Sequence, residues 1–349
     1  MPVRVIALFT APPPMAAGVI NKKVRNLMRN NSRAAAVSGG ILVGALALGT
    51  LAFAAAPAAA AGNPRSAASL LNHIRPGTPV KIIGGSRPTA SSLTQAITSL
   101  QALNWGGYAA SQGTRTFRFV SAQFKVPAVS CTGVTATNGT VSGHWVGLDG
   151  LRSTTVEQVG VIEGCVPSGG TFAPVYLPFW EMAPNQAFSP AKVTVHSGDT
   201  IKVNVYYNKN ARAFRLSLSD VTDGQSFTRT SSCPSGSTCQ RNSAEAISEP
   251  PLTSFNSSTG DVQFAPLADF GSIKISSVAI TTTTGLRGGL TSPNWNTYKI
   301  TEVAGKNKDG TPTNFNAAGT GISSGIVLDK PSSLTNGNTF TNTWQSGNG

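Results

Sequence analysis

Residues 191–207 read AKVTVHSGDTIKVNVYY. Val193, Val195, Ile201, Val203 and Val205 alternate with polar neighbours on either side of His196–Ser197–Gly198–Asp199. Period-two alternation places every second side chain on one face of a strand, and a Ser-Gly-Asp cluster marks a chain reversal. The stretch is expected to be a hairpin with arms at 191–195 and 200–207. The pattern recurs downstream, where 214–219 and 225–229 flank DVTDG at 220–224. Further strands are expected at 116–125 (TFRFVSAQFK), 273–281, 297–303 and 340–344. No long 3.6-residue periodicity appears in this part of the chain. Short, regularly spaced strands with turn residues between them predict an all-β fold, a two-sheet antiparallel β-sandwich.

Upstream of the strands the composition changes. Residues 1–62 carry Arg4, Lys22, Lys23, Arg25, Arg29 and Arg33 and no acidic residue. Residues 38–60, SGGILVGALALGTLAFAAAPAAA, follow as an apolar stretch ending in small residues. A basic start, an apolar centre and an A-x-A end make a cleaved signal peptide. A membrane span is the competing reading, and Pro57 with the alanine-rich end favours cleavage near Ala61. The product is then secreted and extracellular, with no membrane attachment after cleavage. Residues 63–103 are polar and contain Pro64, Pro76, Pro79 and Pro88. A helix is expected at 92–103, with Leu93, Ala96, Ile97 and Leu100 on one face. This segment reads as a propeptide or a linker before a domain at 104–349.

Charge and cysteines narrow the function. The 349 residues carry a formal +13, and removing residues 1–62 removes about half of it. No run of like charge remains, so a nucleic-acid partner is not expected. Cys131, Cys165, Cys233 and Cys239 form an even set in an exported chain, which implies disulfides with three possible connectivities. Local pairing, 131–165 and 233–239, is the simplest. His73, His144 and His196 lie at no ligand spacing from one another or from a cysteine, so no metal site is expected.

Elimination leaves carboxylate chemistry. Gly321–Ile322–Ser323–Ser324–Gly325 fits the nucleophile-elbow pattern, but no histidine follows it. The paired D-[ST]-G motifs of pepsin-like enzymes are absent. Asp199, Asp220 and Asp223 fall in turns, where Asp serves the backbone. Asp149, Glu181, Glu245 and Glu249 lie instead among aromatic and apolar residues (WVGLDG, FWEM, AEAISE). Such surroundings shift a carboxyl's pKa and mark it as a candidate acid or base. Glu245 and Glu249, four apart, would share a strand face roughly 13 Å from each other.

Five segments in order then resemble one family, the glutamic peptidases or eqolisins: NWGGY at 104–108, WVGLDG at 145–150, VEQVG at 156–160, FWEMAP at 179–184 and NSAEAISE at 242–249. The resemblance implies a concanavalin-like jelly-roll sandwich. It implies an endopeptidase acting on protein or peptide substrates in acid, without metal or cofactor. It places the catalytic pair at Gln158 and Glu249, the second Glu of the AExxxE stretch. It also implies that Trp105, Phe179 and Glu181 line the cleft and that Asp149 orients it through hydrogen bonds. A monomer is expected. Two other readings remain open. One is a carbohydrate-binding sandwich with Trp105, Trp145 and Trp180 stacked on sugar. The other is a glycosidase using two carboxylates such as Glu181 and Glu249.

Overall fold

The computed structural model describes residues 70, 74–86, 97–113, 116–190 and 192–345. The expected signal peptide and most of 63–73 lie outside them. All elements of the described residues are strands. In chain order they are β1 (Ile82–Ser86), β2 (Ile97–Ala102), β3 (Gly106–Ser111), β4 (Phe117–Lys125), β5 (Thr140–Leu148) and β6 (Val156–Ser168). There follow β7 (Thr171–Ala183), β8 (Thr200–Asn208), β9 (Ala213–Asp220), β10 (Ser226–Ser232), β11 (Ser243–Glu249) and β12 (Leu252–Phe255). The last are β13 (Val262–Phe264), β14 (Ser272–Thr282), β15 (Arg287–Gly288), β16 (Asn296–Val303), β17 (Val327–Pro331) and β18 (Phe340–Trp344).

The strands make two antiparallel layers. One runs β10-β9-β8-β4-β14 and the other β16-β3-β11-β5-β6-β7, with β18 and β17 carrying the hydrogen bonding round the corner between them. The layers face each other through apolar side chains. Val120, Phe124, Val203, Val205 and Leu216 on one side meet Ala110, Val146, Val159, Val161 and Ala246 on the other. The alternation read from the sequence is what fills this space, since every second residue of β4 and β8 points inward. The second layer is covered on both faces. Its outer face holds a separate cluster that includes Trp105, Trp145, Phe179, Ile162 and Ile247.

The two-sheet sandwich is as expected, and so are the β9–β10 hairpin and the strands near 117, 273, 297 and 340. The disulfides are Cys131–Cys165 and Cys233–Cys239, the simplest of the three pairings. Two expectations fail. Residues 192–195 are not a strand, although Val193 and Val195 are buried; β8 instead pairs with β4 and β9. Residues 97–102 are not helical. They form β2, which runs parallel to β16 and antiparallel to β1. Residues 92–96 lie outside the described region. A two-turn apolar pattern is weak beside a free sheet edge that offers six register partners from Thr297 to Glu302.

Candidate active site

The site is built on the outer face of the second layer, where β11, β5, β6 and β7 run side by side. In β6 the residues with even numbers from 156 to 162 point outward; in β11 those at 245, 247 and 249 do so. Register therefore sets Gln158 opposite Glu181, and Glu249 opposite Gly143. Gln158 Nε2 donates to Glu181 Oε2 at 2.6 Å. Gly143 lies beside Glu249, whose Cγ is 3.8 Å from where a Cβ would stand, an ordinary contact. Gln158, Glu181 and Glu249 are all buried.

Gly77 is the point at which the three meet. Its backbone N–H donates to Glu249 Oε1. Any Cβ on Gly77 would overlap the Gln158 carboxamide and come within 2.9 Å of Glu181 Oε2. Gly77 belongs to a stretch laid across the face and tied by its backbone on both sides. Arg75 exchanges N–H···O bonds of 2.8 and 3.0 Å with Leu252. The Thr78 carbonyl accepts from Asn104 Nδ2 and Trp105 Nε1, each at 3.1 Å. Val80 N–H donates to the Gly150 carbonyl at 3.1 Å, and Lys81 N–H to Asn104 Oδ1 at 2.8 Å. Beside it opens a cleft of about 860 Å³ lined in part by Gly77, Thr78, Glu181, Pro184, Leu252 and Phe255.

Burial dominates the electrostatics. It pushes the Glu249 carboxyl well above its ordinary value; the Gly77 N–H and the indoles of Trp105 and Trp145 pull it partly back. Burial also pushes Glu181 well above its ordinary value. The Gln158 amide lowers it, the charge of Glu249 raises it, and Arg75 lowers it. Carboxyls so shifted are suited to proton transfer near the working pH. Among the described residues, Gln158 Oε1, Glu249 Oε2 and Trp145 Nε1 have no hydrogen-bond partner. Two acceptor oxygens and one indole N–H thus remain free for a third party.

Trp105 packs edge-on against Trp145, with ring centroids 5.2 Å apart, and both are fully buried. Neither offers a face to sugar, and Trp180 is stacked on Phe188 beneath Arg229. Phe179 is buried on the same face of β7 as Glu181, as a floor residue. Asp149 does not reach Gln158 or Glu249. It sits at φ 73° in the turn after β5, where its Oδ1 accepts from Asn242 N–H at 3.0 Å and its Oδ2 from Thr155 at 3.4 Å. The next residue, Gly150, has φ 99°, and a Cβ there would strike the Trp105 ring at 2.7 Å. Asp149 thus holds the turn that props Trp105 and presents the Gly150 carbonyl. Glu245 shares a strand face with Glu249, but its charged neighbours are Asp149 and Glu157.

Asn104, Gly150 and Leu252 were not singled out as binding residues by sequence. Their roles are carried by backbone atoms or by a fold-dependent amide. His144 is another surprise. Its Nδ1 lies 2.8 Å from Ser248 Oγ and its Nε2 3.0 Å from Glu163 Oε1. All three are wholly buried between the layers, and Ser248 Oγ also accepts from Asn342 Nδ2 at 2.9 Å. The trio is closed to substrate and braces the strand that ends in Glu249. Among the described residues one group of possible metal ligands, His196, Asp199 and Asp223, lies in the other layer, with ligand atoms within 4.8 Å of one another.

Comparison with known proteins agrees with this fold. Residues 103–324 match the peptidase A4 family. Over 180 residues the chain is 31% identical to Aspergillopepsin-2 of Aspergillus niger, covering 46% of this chain and 59% of that protein. Scytalido-glutamic peptidase, solved with a transition state analog inhibitor, shares the fold at a TM-score of 0.51 and 21% identity. That superposition covers 70% of this chain and 98% of the other.

Proposed function

Because this chain belongs to the peptidase A4 family, we propose that it is a secreted glutamic endopeptidase that hydrolyses peptide bonds in acid with Gln158 and Glu249. The observation that carries this reading is the convergence of both side chains on the backbone of Gly77. A stretch of polypeptide lying over the pair also favours a peptide substrate over a sugar.

In the proposed cycle Glu249 takes a proton from a water held between it and Gln158. The water attacks the scissile carbonyl. The Gln158 amide donates to the oxyanion that develops there, a contact that strengthens only in the transition state. Glu249 then returns its proton to the leaving amine, acting as base and then acid. Glu181 keeps the Gln158 amide aimed by accepting from Nε2, and Trp105 and Asn104 hold a substrate carbonyl. The charge of Glu249 raises the neighbouring Glu181 carboxyl, which favours Glu249 ionised beside a protonated Glu181. The working form carries one proton on the pair. Activity should fall on the acid side as Glu249 is protonated, and on the alkaline side as Glu181 also ionises beside it.

Residues 104–349 are proposed as the enzyme domain, acting as a monomer after export, with 63–103 as a preceding propeptide. The test is digestion of an acid-unfolded protein by the exported chain across acid to neutral pH. Gln158→Ala should lower kcat by about 10²–10³-fold, the cost of an oxyanion donor. Glu249→Gln should abolish turnover with the fold intact. Full activity in Glu249→Gln would sink the mechanism.

A further inference from the structure

We propose that His196, Asp199, Asp223 and the buried Asp220 form a surface site for a divalent transition cation, with Zn²⁺ the ion it suits best, which clamps the turn before β8 to the turn after β9. The site lies in the first layer, and the inference does not depend on the peptidase reading.

The ligands come from two turns that sheet register brings together. Residues 196–199 precede β8, and residues 220–224 join β9 to β10. β8 and β9 are antiparallel, with Ile201 opposite Asp220. Val221 N–H donates to the Thr200 carbonyl and Thr200 N–H to Thr222 Oγ1, each at 2.8 Å. Ligand spacing along the chain therefore does not show the group.

The donor atoms have a zinc-like arrangement. His196 Nδ1 stands 3.5 Å from Asp199 Oδ2 and 3.6 Å from Asp223 Oδ2, and all three atoms lie within 4.8 Å of one another. Donors about 2.0–2.1 Å from a tetrahedral zinc are about 3.3–3.4 Å apart, so two of the edges are already close to those of a zinc site. Imidazole beside carboxylate suits zinc, whereas calcium and magnesium take oxygen donors. The first turn is preset. His196 N–H donates to Asp199 Oδ2 at 2.6 Å, and Gly198 N–H to the Val126 carbonyl at 2.9 Å.

Asp220 points to a ligand independently. Turn chemistry accounts for its Oδ1, which accepts from the N–H groups of Thr222 and Asp223 at 2.9 and 3.2 Å. It does not account for Oδ2. The side chain is wholly buried, and among the described residues Oδ2 has no partner. The Asp220 carboxyl lies against that of Asp199. Burial, with the charges of Asp220 and Asp223, holds Asp199 above its ordinary value, and the His196 N–H pulls it partly back. Among the described residues no Lys or Arg pairs with any of the three acids. Lys125 passes the turn, with Cε 3.8 Å from where a Cβ on Gly198 would stand, yet makes no ion pair there. Three ionised carboxyls beside one imidazole leave an excess negative charge of at least two, which a divalent ion balances. The clamp also serves the fold. Residues 192–195 bury Val193 and Val195 without joining a ladder, and fixing the turn that follows them fixes them against the core.

The test is titration of the tag-free full-length chain with Zn²⁺ at about pH 7, after treatment with EDTA and in the Glu249→Gln form to prevent self-digestion. One ion should bind with a micromolar Kd or tighter. At about a hundred times Kd it should raise Tm by about 5–11 °C. His196→Gln and Asp223→Asn should each weaken binding at least about tenfold. Both side chains are exposed, so the metal-free Tm of these variants should stay within about 2 °C of the parent. Absence of uptake at millimolar Zn²⁺ overturns the proposal and leaves His196 as a counter-ion of the aspartates. Uptake that both variants retain also overturns it, because the ion then sits elsewhere. So does a Tm gain with Ca²⁺ equal to that with Zn²⁺, which would exclude an imidazole ligand.

Discussion

Raising the pH should destabilise this fold, and two clusters of buried carboxyls set the size of the effect. Glu302 on β16 pairs in register with Asp329 on β17. Both are wholly buried, and among the described residues none of their four oxygens has a partner. Burial raises Glu302 well above its ordinary value, and Asp329 and Glu249 add to the rise; burial likewise raises Asp329. At the far end of the same layer Glu157 and Glu245 are raised well above their ordinary values by burial and then by Asp149, which burial also raises. The sign follows from linkage. A carboxyl whose folded pKa is raised binds more protons in the native state than in the unfolded state. Its contribution is whole below the unfolded pKa, near 4, and is lost as pH climbs through the folded value. If each cluster keeps one proton that the unfolded chain has lost, each contributes about −1.4 kcal/mol per pH unit, and the two about −2.7. Against a total stability of about 5–15 kcal/mol this is a large slope. At about 2–4 °C per kcal/mol for a domain of this size, Tm should fall by about 5–11 °C per unit. The assay is thermal unfolding at constant ionic strength from about pH 4.5 to about pH 7, in a Glu181→Gln, Glu249→Gln background, which prevents self-digestion and removes the other strongly raised carboxyls. Glu302→Gln with Asp329→Asn should roughly halve the slope. A Tm that is flat or rises over this range refutes the reasoning.

Other outcomes follow from the same structure. Trp105→Phe keeps the packing against Trp145 but removes the Nε1 donor to the Thr78 carbonyl. Once the cleft is free, this variant should raise KM several-fold, the worth of about 1 kcal/mol, with little change in kcat. Replacing Cys131 and Cys165 by Ser opens a loop with a sequence separation of 34. Unfolding titrations should show a loss of about 3–4 kcal/mol on the chain-entropy estimate.

The fold was legible because its code is local. Period-two alternation in β4, β8, β9 and β14 and turn residues between strands need no knowledge of partners. What was misread depended on partners. Residues 97–102 carry an apolar spacing that suits a helix, yet the edge of β16 claims them as a strand. Residues 192–195 alternate as a strand should and bury their valines without joining a ladder. At the site, Glu249 could be picked out as a carboxyl in apolar surroundings. The contacts made by Gly150 and Leu252 could not, because main-chain atoms leave no mark in the sequence, nor could those of the Asn104 side-chain amide, whose partners only the fold supplies. Nor could the part played by Gly77, one glycine among 37.

Gln158 shows most clearly why titratable residues alone do not reveal such a site. Position 158 faces Glu181 at hydrogen-bond distance, and both adjoin Glu249 around the same glycine. A carboxyl there would be the third in one buried pocket. Each would raise the others, and a proton would be shared among them where the mechanism needs a base. If all ionised, the pocket would repel the oxyanion it must stabilise. A carboxamide avoids both outcomes. It carries no charge, donates at every pH, and offers one N–H to Glu181 while keeping another for substrate. The chemistry proposed for Glu249 therefore requires a neutral donor beside it, and a search confined to acids and histidines passes over it.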